Sequence, residues 1–216
     1  TIAVTTAAGG SALVIAMSYG ERGESGGLWK EPDQTEENVK RIRAEQAEQA
    51  AAAVGARFMC LDLGDYPLRV DDQALERLTQ VLRDEAPDVV ITHTAVDPFN
   101  PDHPVAYEAV QKARLLVSGA GVESAFTRIK PPELFLFEPH QPELCGFTPN
   151  VFIDITKAFD RKREAMNAMG AQNYLVDYYT ELADRRANHA RRISGNQDIR
   201  KAEALQRVLP AVVEQL

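Results

Sequence analysis

Short apolar runs that alternate with helical segments constrain the fold of this chain more than any other feature. Strand-like runs are predicted at 1–5, 13–18, 57–63, 88–94 and 134–137. Segments with helical spacing of apolar residues lie between them, at 36–54, 72–86 and 103–117. Nearly continuous apolar strands separated by helices are typical of a parallel sheet covered on both faces. We therefore predict an α/β fold, a Rossmann-like three-layer sandwich with a mostly parallel sheet, in a single domain over residues 1–216.

The last part of the chain is predicted to be mainly helical. The alternating run at 151–155 indicates an edge strand, and helices are expected at 157–169, 172–192 and 199–209. Two earlier helices carry local start signals, because Thr35 and Asp71 or Asp72 precede them and have side chains suited to N-capping.

The start of the chain conflicts with this pattern. Only seven residues, 6–12, separate the first two predicted strands. A connection between neighbouring parallel strands needs about a dozen residues or more, usually a helix. Either these two strands are not parallel neighbours, or residues of the natural protein are absent from the sequence near positions 5–13, and we favour the second explanation.

Composition limits the possible functions. The net charge of −8 argues against a general nucleic-acid binder, and no apolar run is long enough to span a membrane. The two cysteines, Cys60 and Cys145, are far apart in sequence and are expected to be reduced thiols in a cytoplasmic enzyme. A small anionic substrate remains compatible with the overall charge, because a local group of Arg residues can bind it.

The loop after the fourth strand is the strongest candidate for chemistry. It contains Asp97, Asn100, Asp102 and His103, and Pro104 follows at the start of a helix. Ligands of open α/β sheets bind at the carboxyl ends of the strands, where this loop lies. A His beside an Asp in such a place indicates a metal ligand or an acid/base group.

Three further loops follow strands. In 20–27, Glu21 is a candidate acid/base and Arg22 a candidate carboxylate ligand; a flexible polar loop is the alternative. Residues 64–67, followed by Arg69, mainly indicate a turn. In 137–143, prolines stiffen a loop that carries His140.

Two other histidines have less specific interpretations. His93 lies within a predicted strand and is expected to be a core histidine. His189 lies among several arginines of a helix, including Arg186. That surface is expected to face solvent or another subunit, and the alternative is that it binds an acidic substrate.

Four motifs in order, GERGES, GDYP, DHP and FEPHQPE, resemble the PIG-L (LmbE-like) family of zinc-dependent α/β proteins, best known for N-deacetylases of sugars. FEPHQPE favours the branch that hydrates 4-oxalomesaconate in bacterial gallate degradation. The resemblance extends to the segment 152–156 and to the helix around Tyr178 and Tyr179, so it spans nearly the whole chain.

The resemblance implies roles for individual residues. His103 would be a ligand of a divalent metal, with zinc expected, and Asp102 its orienting neighbour. The family's other ligands come from a His-x-x-Asp loop after the first strand, expected here after Thr5. Glu21 and His140 would be the acid/base pair. The residues expected to bind substrate are Arg22, Asn100, Asp97, Arg69 and Arg186. The family commonly forms homo-oligomers, and the same is expected here.

Three functions remain open at this stage. The first is a metal-dependent hydratase (a hydro-lyase) that adds water to the double bond of a small oxo-polycarboxylate. The second is a zinc-dependent N-deacetylase of an amino-sugar-like substrate. The third is a non-catalytic family member that lacks its metal site. Asn100 stands where many family deacetylases have a His, which weighs against the second.

Overall fold

The computed structural model describes residues 1–212. Two compact units divide the chain: Thr1–Tyr66 with Phe152–Glu203, and Pro67–Val151 with the chain from Ala204 onward. The boundary between the units passes through two strands, which begin in one unit and end in the other.

The first unit contains a parallel pair of strands and four helices. Their bounds are α1 Ile2–Ala7, β1 Leu13–Ala16, α2 Glu36–Ala53, β2 Arg57–Cys60, and, after the excursion through the second unit, α5 Phe159–Ala168 and α6 Leu175–Ser194. β1 and β2 pair in parallel, with Leu13 opposite Arg57 and Ala16 opposite Cys60. The candidate loop 20–27 and the segment 61–66, which includes Gly64, Asp65 and Tyr66 of the predicted turn at 64–67, follow the carboxyl ends of these two strands. The register of the strands brings both segments to one edge.

The second unit contains the parallel pair β3 Val89–Thr92 and β4 Glu133–Phe137, with α3 Asp72–Glu85 and α4 Asp102–Leu116. The boundary strands are β5 Val151–Asp154 and β6 Ala202–Arg207, and the sheet order is β3-β4-β6-β5. β6 runs antiparallel to β4, so this sheet is mixed. The α/β class is confirmed, and β5 lies at the predicted edge.

The predicted strand at 1–5 is wrong, because Ile2–Ala7 form α1. The β-branched residues there favour a strand locally, but Ala3 packs in a cluster with Val54 and Ala158, and this packing overrides the propensity. No parallel crossover is then required before β1. Thr5 itself lies within α1, and the expectation of absent residues near 5–13, with a ligand loop after Thr5, stays a prediction.

The predicted helix at 199–209 is also wrong, because β6 occupies most of it. Apolar residues spaced by three suggested a helix, yet Ala202 and Ala204 are both buried with a partly exposed residue between them, as in a strand. Hydrogen bonding to β4, a distant part of the chain, decides the conformation.

The predicted helix caps are confirmed. Thr35 accepts a hydrogen bond from the N–H of Asn38 (3.2 Å), and Asp71 accepts one from the N–H of Ala74 (2.8 Å). Within residues 1–212, no helix combines the length and apolar character that crossing a membrane requires.

Candidate active site

The loop 20–27 is held in place by hydrogen bonds. The buried carboxylate of Asp65 accepts the N–H groups of Arg22 (3.0 Å) and Gly23 (2.7 Å). Ser25 donates its hydroxyl to the carbonyl of Gly20 (2.6 Å), and Trp29 donates its indole N–H to the carbonyl of Glu21 (2.6 Å). The alternative of a flexible loop is therefore not supported. The anchoring role of Asp65 escaped the sequence analysis, which treated 64–67 mainly as a turn.

Gly23 permits a close approach between this loop and Tyr66. A Cβ atom at position 23 would lie 2.0 Å from Cε2 of the Tyr66 ring. Tyr66 itself has a positive φ of 44°, an uncommon conformation for an aromatic residue. The ring of Tyr66 therefore covers the loop at a position that only glycine can occupy.

Glu21 is fully buried and its carboxylate is only half satisfied. Oε2 accepts the N–H of Tyr19 (3.1 Å), whereas Oε1 has no hydrogen-bond partner within the described chain. The Nζ atom of Lys40 lies 3.6 Å from Oε1, as an ion pair beyond hydrogen-bond distance. A buried carboxylate oxygen without a hydrogen bond is costly, and such atoms in native structures call for an explanation. Glu21 therefore has the properties expected of a functional carboxylate.

We use the name Glu21 cluster for the side chains around this carboxylate: Tyr19, Glu21, Lys40, Cys60 and Asp62. Burial is the main cause that raises the pKa of the Tyr19 phenol and of the Cys60 thiol. Both side chains are therefore neutral near pH 7. Motif reading did not identify Lys40, because it lies inside α2 and belongs to no loop motif.

The guanidinium of Arg22 already has a carboxylate partner within the protein. Its Nε and Nη2 atoms donate to the carboxylate of Glu36 at 3.1–3.2 Å, in a partly exposed ion pair. A substrate carboxylate would have to compete with Glu36 for this group.

In the second unit, His103 is oriented by a carboxylate. The Nδ1–H of His103 donates to Oδ2 of Asp97 (2.7 Å), and Oδ1 of Asp97 accepts the N–H groups of Phe99 (2.9 Å) and Asn100 (3.1 Å). Burial acts to raise the pKa of Asp97, but these hydrogen bonds outweigh it and the pKa is lowered. An ionised carboxylate only accepts, so the Nδ1 atom of His103 carries the donated proton. The neutral tautomer that this hydrogen bond selects has its lone pair on Nε2.

His93 forms a second contact with the same ring. The two imidazoles are stacked with centroids 4.0 Å apart, and Phe137 meets His93 edge-on at 4.6 Å. Burial, together with the nearby His103, lowers the pKa of His93 to about 3, so it is neutral at physiological pH. The sequence analysis expected a core histidine and missed this contact with His103.

Asp102 and Asn100 hold the start of α4. The side-chain oxygen of Asn100 accepts the N–H of Asp102 (3.0 Å), and Asp102 accepts the N–H of Leu68 (2.9 Å). The carboxylate bonded to the His103 ring is therefore that of Asp97, which the sequence analysis had assigned to substrate binding. The family resemblance implied Asp102 as the neighbour of His103, whereas the turn at 97–100 brings the Asp97 carboxylate to the ring.

The remaining predicted residues, His140, Arg69 and Arg186, lie in other segments of the sequence than the Glu21 cluster and the loop 97–103. His140 is exposed in the loop after β4, and Arg69 is exposed before α3. Arg186 is buried on α6, and its Nη1 lies 3.0 Å from Nδ1 of His189. A neutral His189 can accept this hydrogen bond.

The described residues do not complete a metal site. Among residues 1–212, no group of three or more His, Cys, Asp or Glu side chains is placed to hold a metal ion. His103 has the arrangement of a single ligand, because Asp97 orients its ring and leaves Nε2 available. Zinc sites in proteins use three or four protein ligands, so His103 supplies only part of one.

Residues 1–114 match the PIG-L family, described as GlcNAc-PI de-N-acetylase, and thus over half of the chain is covered. The chain belongs to the PIG-L family. The matched residues include all members of the Glu21 cluster and also His93, Asp97 and His103, whereas His140 and Arg186 lie beyond them.

Individual PIG-L relatives give a finer comparison. The chain is 41% identical over 206 residues to 4-oxalmesaconate hydratase of Pseudomonas putida, an alignment that covers 94% of this chain and 80% of the relative. It superposes with a TM-score of 0.96 and 40% identity on the crystal structure of GalB, the 4-carboxy-2-hydroxymuconate hydratase of P. putida KT2440, covering 100% of this chain and 91% of that one.

A more distant structural relative shares the fold. The N,N'-diacetylchitobiose deacetylase of Pyrococcus horikoshii superposes with a TM-score of 0.71 at 18% identity, covering 95% of this chain and 75% of that one. The PIG-L fold therefore accommodates at least two kinds of reaction, and the residues around the site must decide between them.

Proposed function

We propose that this protein is a hydratase that adds water to a carbon–carbon double bond of a small oxo-polycarboxylate such as 4-oxalmesaconate. The similarity to 4-oxalmesaconate hydratase along 94% of the chain carries the proposal. The buried, half-satisfied carboxylate of Glu21 supports it, because water addition needs a positioned proton acceptor or donor.

The reaction requires two proton transfers. A base removes a proton from water, the water oxygen bonds to the carbon made electrophilic by conjugation, and the π electrons move to the oxo group as an enolate. An acid then protonates the adjacent carbon, so that one water molecule is added in total. We propose Glu21 and His140 for these two roles, in either assignment.

Cationic side chains would bind the substrate carboxylates. Arg22, Arg69 and Arg186 are the candidates, with Asn100 and Asp97 as further polar groups. Arg22 forms a bidentate pair with the carboxylate of Glu36, and this pair supports its proposed role as a ligand of a substrate carboxylate. Exchange of Glu36 for a substrate carboxylate would preserve that geometry.

A divalent metal, zinc in the first instance, is part of the proposal through the family resemblance and the His103–Asp97 pair. When bound, such an ion would supply charge stabilisation to the enolate oxygen. Since the described residues offer one ligand, we assign no step of the reaction to it. The proposed role of His103 itself is to present its Nε2 atom in the orientation that the hydrogen bond to Asp97 fixes.

Deacetylation is the second candidate function. The description of the matching family as GlcNAc-PI de-N-acetylase favours it, as does the fold shared with a chitobiose deacetylase. It would use the same groups on an amide carbonyl instead of a conjugated double bond. Asn100, which cannot act as an acid/base, weighs against it.

The experiment is an assay of the purified protein, with and without added zinc, that follows the loss of conjugated absorbance of 4-oxalmesaconate. We expect turnover, with losses in His103→Ala and His140→Ala. Arg128→Ala, at an exposed position between α4 and β4, serves as the control. Acetate release from N-acetylglucosamine compounds without hydration would favour deacetylation. Neither activity in folded, zinc-loaded protein would favour a non-catalytic family member.

The proposal extends to the assembly and its setting. A homo-oligomer is expected, and light scattering after size-exclusion chromatography measures its mass. A cytoplasmic location stays a prediction that follows from the proposed metabolic role.

A further inference from the structure

The unsatisfied oxygen of Glu21 faces one ammonium group and one glycine. Lys40 Nζ lies 3.6 Å from Oε1, and a Cβ atom at Gly64 would lie 3.9 Å from the same oxygen. No side chain at position 64 therefore fills the space beside Oε1. The carboxylate is thus held from the Tyr19 side by a hydrogen bond and from the α2 side by a charge.

Lys40 is itself fixed from two directions. It lies on α2, and its Nζ donates to Oδ1 of Asp62 at 2.8 Å. Asp62 follows β2 with a positive φ of 54°, which turns the chain directly after the strand. Glu36, one helical turn before Lys40, approaches Nζ to 3.8 Å. The ammonium is therefore oriented independently of Glu21.

The charges around Glu21 come from three elements. Tyr19 follows β1, Cys60 and Asp62 lie at the end of β2, and Glu36 and Lys40 lie on α2. The phenol and the thiol are neutral near pH 7, because burial raises the pKa of each. The hydrogen bond to Asp62 is the largest cause that raises the pKa of Lys40, so this ammonium stays charged. Lys40 is thus the cation that offsets the buried Glu21 carboxylate.

We propose that Lys40 is a positioning residue for Glu21: anchored by Asp62, its ammonium keeps the buried carboxylate charged while leaving Oε1 unbonded for proton transfer. The inference rests on the proposed acid/base role of Glu21. An ion pair beyond hydrogen-bond distance stabilises the negative charge without occupying the oxygen. A direct hydrogen bond from Lys40 would instead block the oxygen that must exchange a proton.

The test is the pH profile of kcat for hydration in Lys40→Met, Lys40→Arg and wild type. An opposite charge within about 4–6 Å lowers a carboxyl pKa by roughly 1–3 units. Loss of Lys40 should therefore move the limb that belongs to Glu21 to higher pH by about one unit or more, whether Glu21 acts as acid or base. KM should change less than about twofold, and Lys40→Arg should restore the limb.

Arg41→Met is the matched control. Arg41 is the next residue of α2, carries the same charge and is exposed in a pair with Glu45, so its removal should leave the limb in place. A residue that merely supports folding would lower the amount of folded protein without moving the limb. Coinciding limbs in wild type and Lys40→Met would overturn the proposal.

A second measurement does not depend on turnover. The Glu21 carboxyl carbon can be titrated by NMR in protein labelled with 13C-glutamate, with Glu21→Gln to assign the signal. A midpoint that rises by about one unit or more in Lys40→Met supports the pairing, and an unchanged midpoint contradicts it. If wild type hydrates nothing, the hydratase proposal fails, and this titration alone decides whether Lys40 keeps Glu21 charged.

Discussion

At the scale of single residues, the carboxylates of Glu21 and Asp97 differ in how their oxygens are hydrogen-bonded. Glu21 combines complete burial with an oxygen that accepts no hydrogen bond from residues 1–212. Both oxygens of Asp97, in contrast, accept hydrogen bonds, from the His103 ring and from its own loop. The first arrangement leaves an atom available for chemistry, whereas the second orients another residue. These two carboxylates therefore have different tasks.

The first prediction concerns Glu21→Gln. We expect kcat for hydration to fall by about 10²–10⁴-fold, because the amide cannot exchange a proton. The melting temperature should be retained, since the substitution removes a buried charge and keeps the shape. Glu45→Gln on the exposed side of α2 is the control. Full activity in Glu21→Gln would exclude Glu21 as the acid or base.

The second prediction concerns the contact between Gly23 and Tyr66. Gly23→Ala would place Cβ 2.0 Å from the ring, and we expect a loss of about 1–3 kcal/mol in the free energy of unfolding from overpacking. Gly26→Ala, in the same loop but facing open space, should cost less. Tyr66→Ala should remove the destabilisation that Gly23→Ala causes. Denaturant unfolding of the wild type, the two single variants and the Gly23→Ala/Tyr66→Ala double variant measures this effect. Additive losses would contradict a direct clash.

The sequence identified loop residues better than their partners. Glu21 and His103 could be found because each follows a strand within a motif. Lys40 and His93 could not, because one lies inside a helix and the other inside a strand, where only tertiary packing reveals the contact. The pairing of Asp97 with His103 has a local cause, since the turn at 97–100 brings the Asp97 carboxylate to the ring.

At the scale of elements, the features that local signals determine were predicted correctly. The features that contacts with distant segments determine were not. The starts of α2 and α3 were predicted because Thr35 and Asp71 bond to N–H groups three residues away. The predictions for residues 199–209 and 1–5 were wrong. Pairing with β4 determines the strand conformation of β6, and packing against Val54 determines the helical conformation of α1. Both partners lie too far along the chain for a local pattern to show.

The third prediction concerns the end of α3. Ala86 closes this helix in the left-handed conformation, with φ 43°. A non-glycine residue there costs about 1–2 kcal/mol, so Ala86→Gly should stabilise the protein by up to about 1 kcal/mol after the entropy of the unfolded chain is included. Ala53→Gly at the end of α2, in a right-handed conformation, should be destabilising instead. Thermal unfolding distinguishes the two, and a lower melting temperature for Ala86→Gly would contradict the strain.

At the scale of the whole molecule, alternation of strands and helices was sufficient to predict the α/β class. It could not predict the division into two units or the antiparallel β6, because strand order depends on pairing between distant segments. Local patterns therefore predict the individual helices and strands of each unit, but not which strands pair.

The fourth prediction uses both thiols. Cys60 and Cys145 are free, and burial is the main cause that raises the pKa of each above the ordinary value. Less thiolate is then present at pH 8, so both should react slowly with Ellman's reagent, with the rate still rising at pH 9 and above. Denaturation should release two thiols per chain. Cys60→Ser assigns the signals, and fast reaction of the native protein at pH 8 would contradict the prediction.

The division of the chain also affects the order in which the protein can be made. The first unit needs Thr1–Tyr66 and Phe152–Glu203, and the whole of Pro67–Val151 is synthesised between them. At about 5–20 residues per second, a ribosome takes on the order of ten seconds over that gap. During this time the parallel pair β1–β2 has been synthesised, but α5 and α6, which belong to the same unit, have not. A nascent chain in this interval is therefore expected to be a substrate for chaperones.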